Sequence, residues 1–97
     1  MDKTELQERM TALVVRIVKM VDAMPTTVSG LAIARQIIRS GTSPSANYRA
    51  ACLAKSDKDF LNKLKMVEEE LDETIHLLDI IIRSQIITTS RIHPLYQ

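Results

Sequence analysis

Apolar residues recur at spacings of three and four from near the start of the chain. Leu6, Met10, Leu13, Val14, Ile17, Val18 and Val21 fall on one stripe of a helix, with Arg9, Arg16 and Lys19 largely off it. The pattern predicts a first helix over about 4–24. Pro25 closes it, because a proline disfavours helical geometry at the residue before it, here Met24. Thr27 or Ser29 is then placed to cap a second helix.

The second run is longer and less apolar. Leu31, Ala34, Ile38, Gly41, Ser45, Tyr48 and Cys52 alternate by three and four, which predicts a seam along a helix over about 29–55. Gly41 and Ser45 are small enough to let another backbone come close. Pro44 interrupts the backbone hydrogen bonding, and the unbroken phase on both sides of it predicts a kink in one helix. Ser56, followed three residues later by Asp59, is a variant of the capping box, and Asp57 and Asp59 suit the positive end of a helix. A third helix is predicted over 57–84, with Phe60, Leu64, Val67, Leu71, Ile75, Leu78 and Ile82 as its core stripe. Towards and beyond its end Ile80, Ile81, Ile86 and Ile87 make the chain apolar on more than one face, which marks deep burial or an interface. The tail, 88–97, carries His93-Pro94 and no helical pattern.

Composition agrees with helices. Apolar residues make up 45% of 97 residues while aromatics reach 3%, so the core is built from Leu, Ile, Val, Ala and Met. Two glycines and three prolines leave little punctuation for a β fold. A chain this short buries a limited fraction of its surface, and oligomerisation is a natural way to enlarge its core. The single cysteine cannot form an internal disulfide, which fits a reducing, cytoplasmic setting. No secretory pattern opens the chain, and no apolar run is long enough for a membrane span. The predicted architecture is all-α: an antiparallel up-and-down helical bundle of three long helices in a single domain, 1–97, with the fourth helix truncated or supplied by a neighbour.

A net charge of +1 hides a strong asymmetry. Ser29 to Lys65 holds seven basic residues (Arg35, Arg39, Arg49, Lys55, Lys58, Lys63, Lys65) against two acids. Met66 to Ile80 holds six acids and neither Lys nor Arg. Such blocks pair within or between molecules, or the basic one faces phosphates. Arg35, Arg39, Asn47 and Arg49 are placed to meet Glu68 or Glu69 of the third helix, or phosphates. With Phe60, Tyr48 and Tyr96 as the aromatics, no base-stacking platform is visible, so any nucleic acid would be read through backbone charge and shape.

No catalytic centre, cofactor site or metal site is predicted. Glu73-Thr74-Ile75-His76 has the Glu-x-x-His spacing of di-iron bundles, but a full site needs two copies and further carboxylates, and surface charge is the better reading. Cys52 lacks an activating histidine nearby in sequence and reads as a structural thiol. Ser43 and Ser45 have no identifiable base, and no phosphate-binding glycine loop is present.

Several segments of the centre together resemble a known family: Gly30-Leu31, Arg39-Ser40-Gly41-Thr42-Ser43, Ala46-Asn47-Tyr48-Arg49, Lys55-Ser56, Asp59-Phe60 and Lys63-Leu64, followed by Glu69, Glu70 and Asp72-Glu73. In this combination, over roughly 13–82, the chain resembles the four-helix-bundle family of 23S rRNA intervening-sequence proteins, related to the accessory proteins of diversity-generating retroelements. The resemblance implies a homopentameric barrel in the cytoplasm with no known enzymatic activity. It further implies structured RNA or other nucleic acid as a partner through a basic surface, and for the retroelement relatives a reverse transcriptase. The expected nucleic-acid contacts are Arg35, Arg39, Arg49, Lys55, Lys58, Lys63 and Lys65. The expected oligomer or partner contacts are Gly41, Ser45, Ile80, Ile81, Ile86 and Ile87, and a protein–protein adaptor is the alternative function.

Overall fold

The computed structural model describes residues 1–87, so the tail expectation for 88–97 lies outside the described residues. Among these residues the chain is all-α, with three helices and no strand: α1 (Lys3–Asp22), α2 (Val28–Cys52) and α3 (Asp57–Ser84). Each helix starts on a side-chain cap. The Asp2 carboxylate accepts from the Glu5 N–H at 2.8 Å, the Thr27 hydroxyl oxygen from Gly30 at 3.1 Å, and the Ser56 hydroxyl oxygen from Asp59 at 3.1 Å. Gly30 is required where it stands, because a Cβ there would lie 2.3 Å from the Pro25 carbonyl oxygen folded over the helix start. α2 stops at Cys52, short of the expected 55, where Leu53 and Ala54 turn back to bond Ala50 and Ala51. α3 closes on Gln85 in the left-handed conformation at φ 59°.

The second helix is the hub. α2 packs along both α1 and α3, whereas the backbones of α1 and α3 do not approach each other closely. Contacts to α3 climb it as they descend α2: Asn47 meets Glu70, Ser40 meets Thr74, and Arg39 meets Glu73. The molecule measures 44 × 23 × 18 Å, its long axis set by α3, whose 28 residues span about 42 Å at 1.5 Å per residue.

Serving two neighbours widens the arc that α2 buries. Ile37, Ser40, Gly41, Pro44, Tyr48 and Ala51 are buried, a set that keeps Gly41 and Tyr48 of the expected seam but is shifted from the rest of it, since Leu31 is exposed and Ile38 and Ser45 are half-buried. Pro44 lies within an uninterrupted helix and is among the most deeply buried side chains. Its missing N–H costs α2 one backbone bond, and burial of the ring between neighbours is what offsets that cost.

The core forms two clusters separated by a tight middle layer. Met10, Tyr48 and Val67, joined by Leu6, Cys52, Leu64 and Leu71, fill the end near the α2–α3 turn. Met20, Met24, Ile37, Leu77, Leu78, Ile81 and Ile87 fill the other end. In the middle, Ile17 of α1 is fully buried against Gly41, and Ser40 beside it faces α3. The apolar end of α3 is thus spent inside the chain: Ile81 and Ile87 are core residues, with Ile80 and Ile86 packed on them. Gly41 likewise serves a contact within the chain.

A Cβ on Gly41 would sit 2.4 Å from Cδ1 of Ile17 and 3.2 Å from its Cγ2. Gly41→Ala should therefore destabilise by about 1–3 kcal/mol of overpacking, reduced by the ~1 kcal/mol that alanine gains in helix propensity. Ile17→Val removes Cδ1, the atom that clashes. Alone it should cost about 0.5–1.5 kcal/mol, and combined with Gly41→Ala the loss should fall clearly below the sum of the single losses. Denaturant unfolding of the four proteins of the cycle measures this, and strict additivity would show that the contact does not set the helix spacing.

Candidate functional site

The seven basic candidates divide into two groups. Arg49, Lys55, Lys58, Lys63 and Lys65 surround the α2–α3 turn, whereas Arg35 and Arg39 lie further back on α2, Arg39 being ten residues or about 15 Å along the axis from Arg49. Two of the seven are engaged within the chain. The Arg39 guanidinium donates to a Glu73 carboxylate oxygen at 2.5 Å, and the Lys63 ammonium donates to Asp59 at 2.7 Å along α3. Arg35, Arg49, Lys55, Lys58 and Lys65 are exposed and have no ion-pair partner among the described residues.

The turn puts the first group on a short piece of surface. α2 delivers Arg49 in its last turn, the four-residue connection holds Lys55, and the first turns of α3 present Lys58 and Lys65. Beside them is a shallow depression of ≈ 410 Å³ lined by Lys3 of α1, Lys55, Tyr48, Cys52 and Phe60. Burial, followed by a hydrogen bond with the Cys52 thiol and the charge that thiol can carry, holds the Tyr48 phenol above its ordinary value of 10.0. Asp57 and Asp59 answer the positive N-terminus of α3, so their charge is partly directed into the helix. The five basic side chains around the turn exceed these two acids, and the surface stays positive.

The acidic block of α3 splits between an inner and an outer role. Glu70 accepts hydrogen bonds from the Asn47 amide at 2.8 Å and from the Ser43 hydroxyl, and Glu73 takes Arg39. The pairing of this α2 segment with acids of α3 was legible in the sequence, but Glu68 and Glu69, the expected partners, point to solvent. Ser43 is thereby a structural donor to Glu70. Ser40 and Thr74, buried polar residues that hydropathy patterning passed over, hydrogen-bond to each other at 2.9 Å. Glu73 is committed to Arg39 and His76 is exposed, and among the described residues no three His, Cys, Asp or Glu side chains converge as a metal site would require. No described helix is long and apolar enough to cross a membrane.

Comparison with known proteins points one way. The model of the 23S rRNA-intervening sequence protein family matches residues 2–97. No curated protein matches the chain. Among solved structures, a Bacteroides thetaiotaomicron protein of the S23 ribosomal protein family, described as of unknown function, is similar with a TM-score of 0.85 and 33% identity. The match covers 93% of this chain and 83% of that one.

The Ser40–Thr74 pair gives a test of how α2 and α3 are registered. Thr74→Val should cost about 1–3 kcal/mol, because it strands a buried Ser40 hydroxyl. Ser40→Ala together with Thr74→Val removes both polar groups and should recover most of that loss. Thermal or urea unfolding reads the difference, and a double variant as unstable as the sum of the singles would assign the pair no mutual role.

Proposed function

The chain belongs to the 23S rRNA-intervening sequence protein family, and from that premise we propose that it is a non-enzymatic, homo-oligomeric helical-bundle protein that binds structured RNA, or a ribonucleoprotein containing it, through its basic end. The observation that carries this reading is the gathering of Arg49, Lys55, Lys58 and Lys65, exposed and without acidic partners among the described residues, where α2 turns into α3. Exposed ammonium and guanidinium groups at this density neutralise phosphates and release counterions. The aromatics beside that surface, Tyr48 and Phe60, are buried and half-buried, which favours recognition of shape and backbone over base identity. Arg39, held by Glu73, contributes more to joining α2 and α3 than to a ligand. Arg35 is the outlying member of the set.

In this reading the three helices are an up-and-down antiparallel bundle with one side open, and a neighbouring subunit covers that side. The family resemblance suggests a pentamer and a cytoplasmic setting. The adaptor alternative, including a reverse transcriptase as partner, draws on one observation: a shallow apolar groove on α3 where Ile75 is exposed beside the half-buried Leu64 and Leu71. The isoleucines first expected to provide such a surface, Ile81 and Ile87 above all, are occupied in the core.

Binding to a structured RNA, followed by fluorescence anisotropy at several salt concentrations, tests the proposal. Replacing Lys55, Lys58 and Lys65 together by Gln should weaken binding across RNA sequences. The slope of log K against log salt should flatten by about one unit for each phosphate no longer neutralised. Arg39→Gln should leave the slope nearly unchanged and change stability by no more than about 1 kcal/mol. An unaltered slope in the triple variant, or affinity insensitive to salt in the parent protein, would remove the basic end as the binding surface and favour the adaptor.

A further inference from the structure

The solvent face of α2 carries no acid along its whole length. Ala32, Arg35, Arg39, Thr42, Ala46 and Arg49 follow one another at alternating steps of three and four, and all but the half-buried Thr42 are exposed. They lie on the side of the helix opposite the buried Ile37 and Pro44. From Ala23 to Ser56 the chain holds neither Asp nor Glu. The acids of the neighbouring helices are turned elsewhere. Glu70 and Glu73 of α3 bond to Asn47, Ser43 and Arg39 within the α2–α3 contact. On α1, Glu8 and Asp22 lie on the side away from the buried Met10, Ile17 and Met20, and Glu5 pairs with Arg9 of its own helix.

With Arg39 held by Glu73, Arg35 and Arg49 are the cations of this face without an acidic partner among the described residues. They stand 14 residues apart, about 21 Å along the axis, and Lys55 and Lys58 continue the line round the turn. Thr42 and Ala46 are short, so a broad ligand can come close to the helix just before Arg49. The large apolar residues of the face, Val28 and Leu53, stand only at its ends, which leaves a protein helix little to bury along the middle. Single strands are held by stacking on aromatic side chains, and the one aromatic of α2, Tyr48, is buried. A rigid row of guanidinium groups without a stacking surface suits a rigid polyanion. Double-stranded RNA is such a ligand, taken through shape and backbone across its wide, shallow minor groove.

We propose that the solvent face of α2 lies along the backbone of an RNA duplex, with Arg35 and Arg49 each on a phosphate. The basic end at the turn is then one terminus of a longer phosphate-binding stripe. This rests on the RNA-binding reading above and names the ligand of that surface as double-stranded.

Fluorescence anisotropy with the full chain tests it, using a hairpin RNA with a stem of about 16 base pairs and an unstructured strand of equal length. The hairpin should bind at least about tenfold tighter than the strand. Arg35→Gln should flatten the slope of log K against log salt for the hairpin by about one unit. Ala46→Glu sets a negative charge in the middle of the stripe and should raise the dissociation constant at least about tenfold. Ala46→Gln, similar in bulk and uncharged, should retain most of the affinity, and circular dichroism should show both Ala46 variants helical. Equal or tighter binding of the single strand would overturn the duplex. An unaltered slope in Arg35→Gln, or unaltered affinity in Ala46→Glu, would overturn the stripe. If the triple variant of Lys55, Lys58 and Lys65 still lost slope in that case, the RNA-binding reading would stand with the turn alone. A change of oligomeric mass in Ala46→Glu without a change in RNA affinity would give the face to a protein partner instead. A parent protein that binds neither RNA would overturn the RNA-binding reading itself.

Discussion

The distance between helices at the Ser40–Gly41 step governs the rest of this molecule. Successive helical residues point about 100° apart, so two adjacent small residues can serve two different neighbours. Gly41 admits the fully buried Ile17 of α1, and Ser40 admits Thr74 of α3. Neither contact leaves room for a larger side chain on α2. Because α1 and α3 touch α2 and do not bring their backbones together, the two small residues fix both interhelical distances. The apolar clusters above and below this layer add burial energy without setting that spacing.

Polar side chains then determine how α3 lies along α2. The Ser40–Thr74 pair is buried, and a one-residue slip would strand the Ser40 hydroxyl in an apolar layer at a cost of about 1–3 kcal/mol, whereas Thr74 keeps the Glu70 carbonyl oxygen of its own helix. Glu70 and Glu73 extend the same register toward the surface through Asn47, Ser43 and Arg39. The outermost of these, the Arg39–Glu73 pair, is more than a third exposed on both sides and is worth little by itself in water. Its role is to consume two charges that would otherwise extend the basic and acidic surfaces into one another. The result is a molecule whose positive charge concentrates at the turn and whose negative charge lies along the outer face of α3.

The helices were legible in the sequence because their signals are local: a Ser, Thr or Asp before each apolar run, and apolar residues three and four apart. The buried face of α2 was only partly legible. A seam drawn through Leu31, Ile38 and Ser45 assumes one neighbour, whereas α2 has two, and the buried arc widens to take in Ser40 and Pro44. Hydropathy gave no reason to place either of them inside. On α3 the error runs the other way. The stripe from Phe60 to Ile82 included Ile75, which is left exposed, while Thr74 next to it is buried. A single sequence shows how much apolar arc a helix has, but the number of partners determines how much of it is covered. Among the basic candidates, Lys63 has Asp59 one turn away in sequence, so its pairing is local. The pairing of Arg39 depends on which acid of α3 the fold brings near it, and only three dimensions separate it from its free neighbours.

That mismatch between arc and cover has a physical consequence for a chain of this size. A small domain buries too little of its surface to leave a long apolar face in water without loss. Some exposed apolar residues here are neighbours: Ile75 on α3 stands beside the half-buried Leu71, and Val15 and Val18 follow one another along α1. Contiguity separates a surface suited to association from the isolated exposed leucines of any protein, such as Leu53 at the turn. The acids that border the α3 face would weaken any contact with nucleic acid, and the lysines at the turn would weaken any apolar packing there. The basic residues around the turn and the acids of 66–80 thus lie on separate parts of α3.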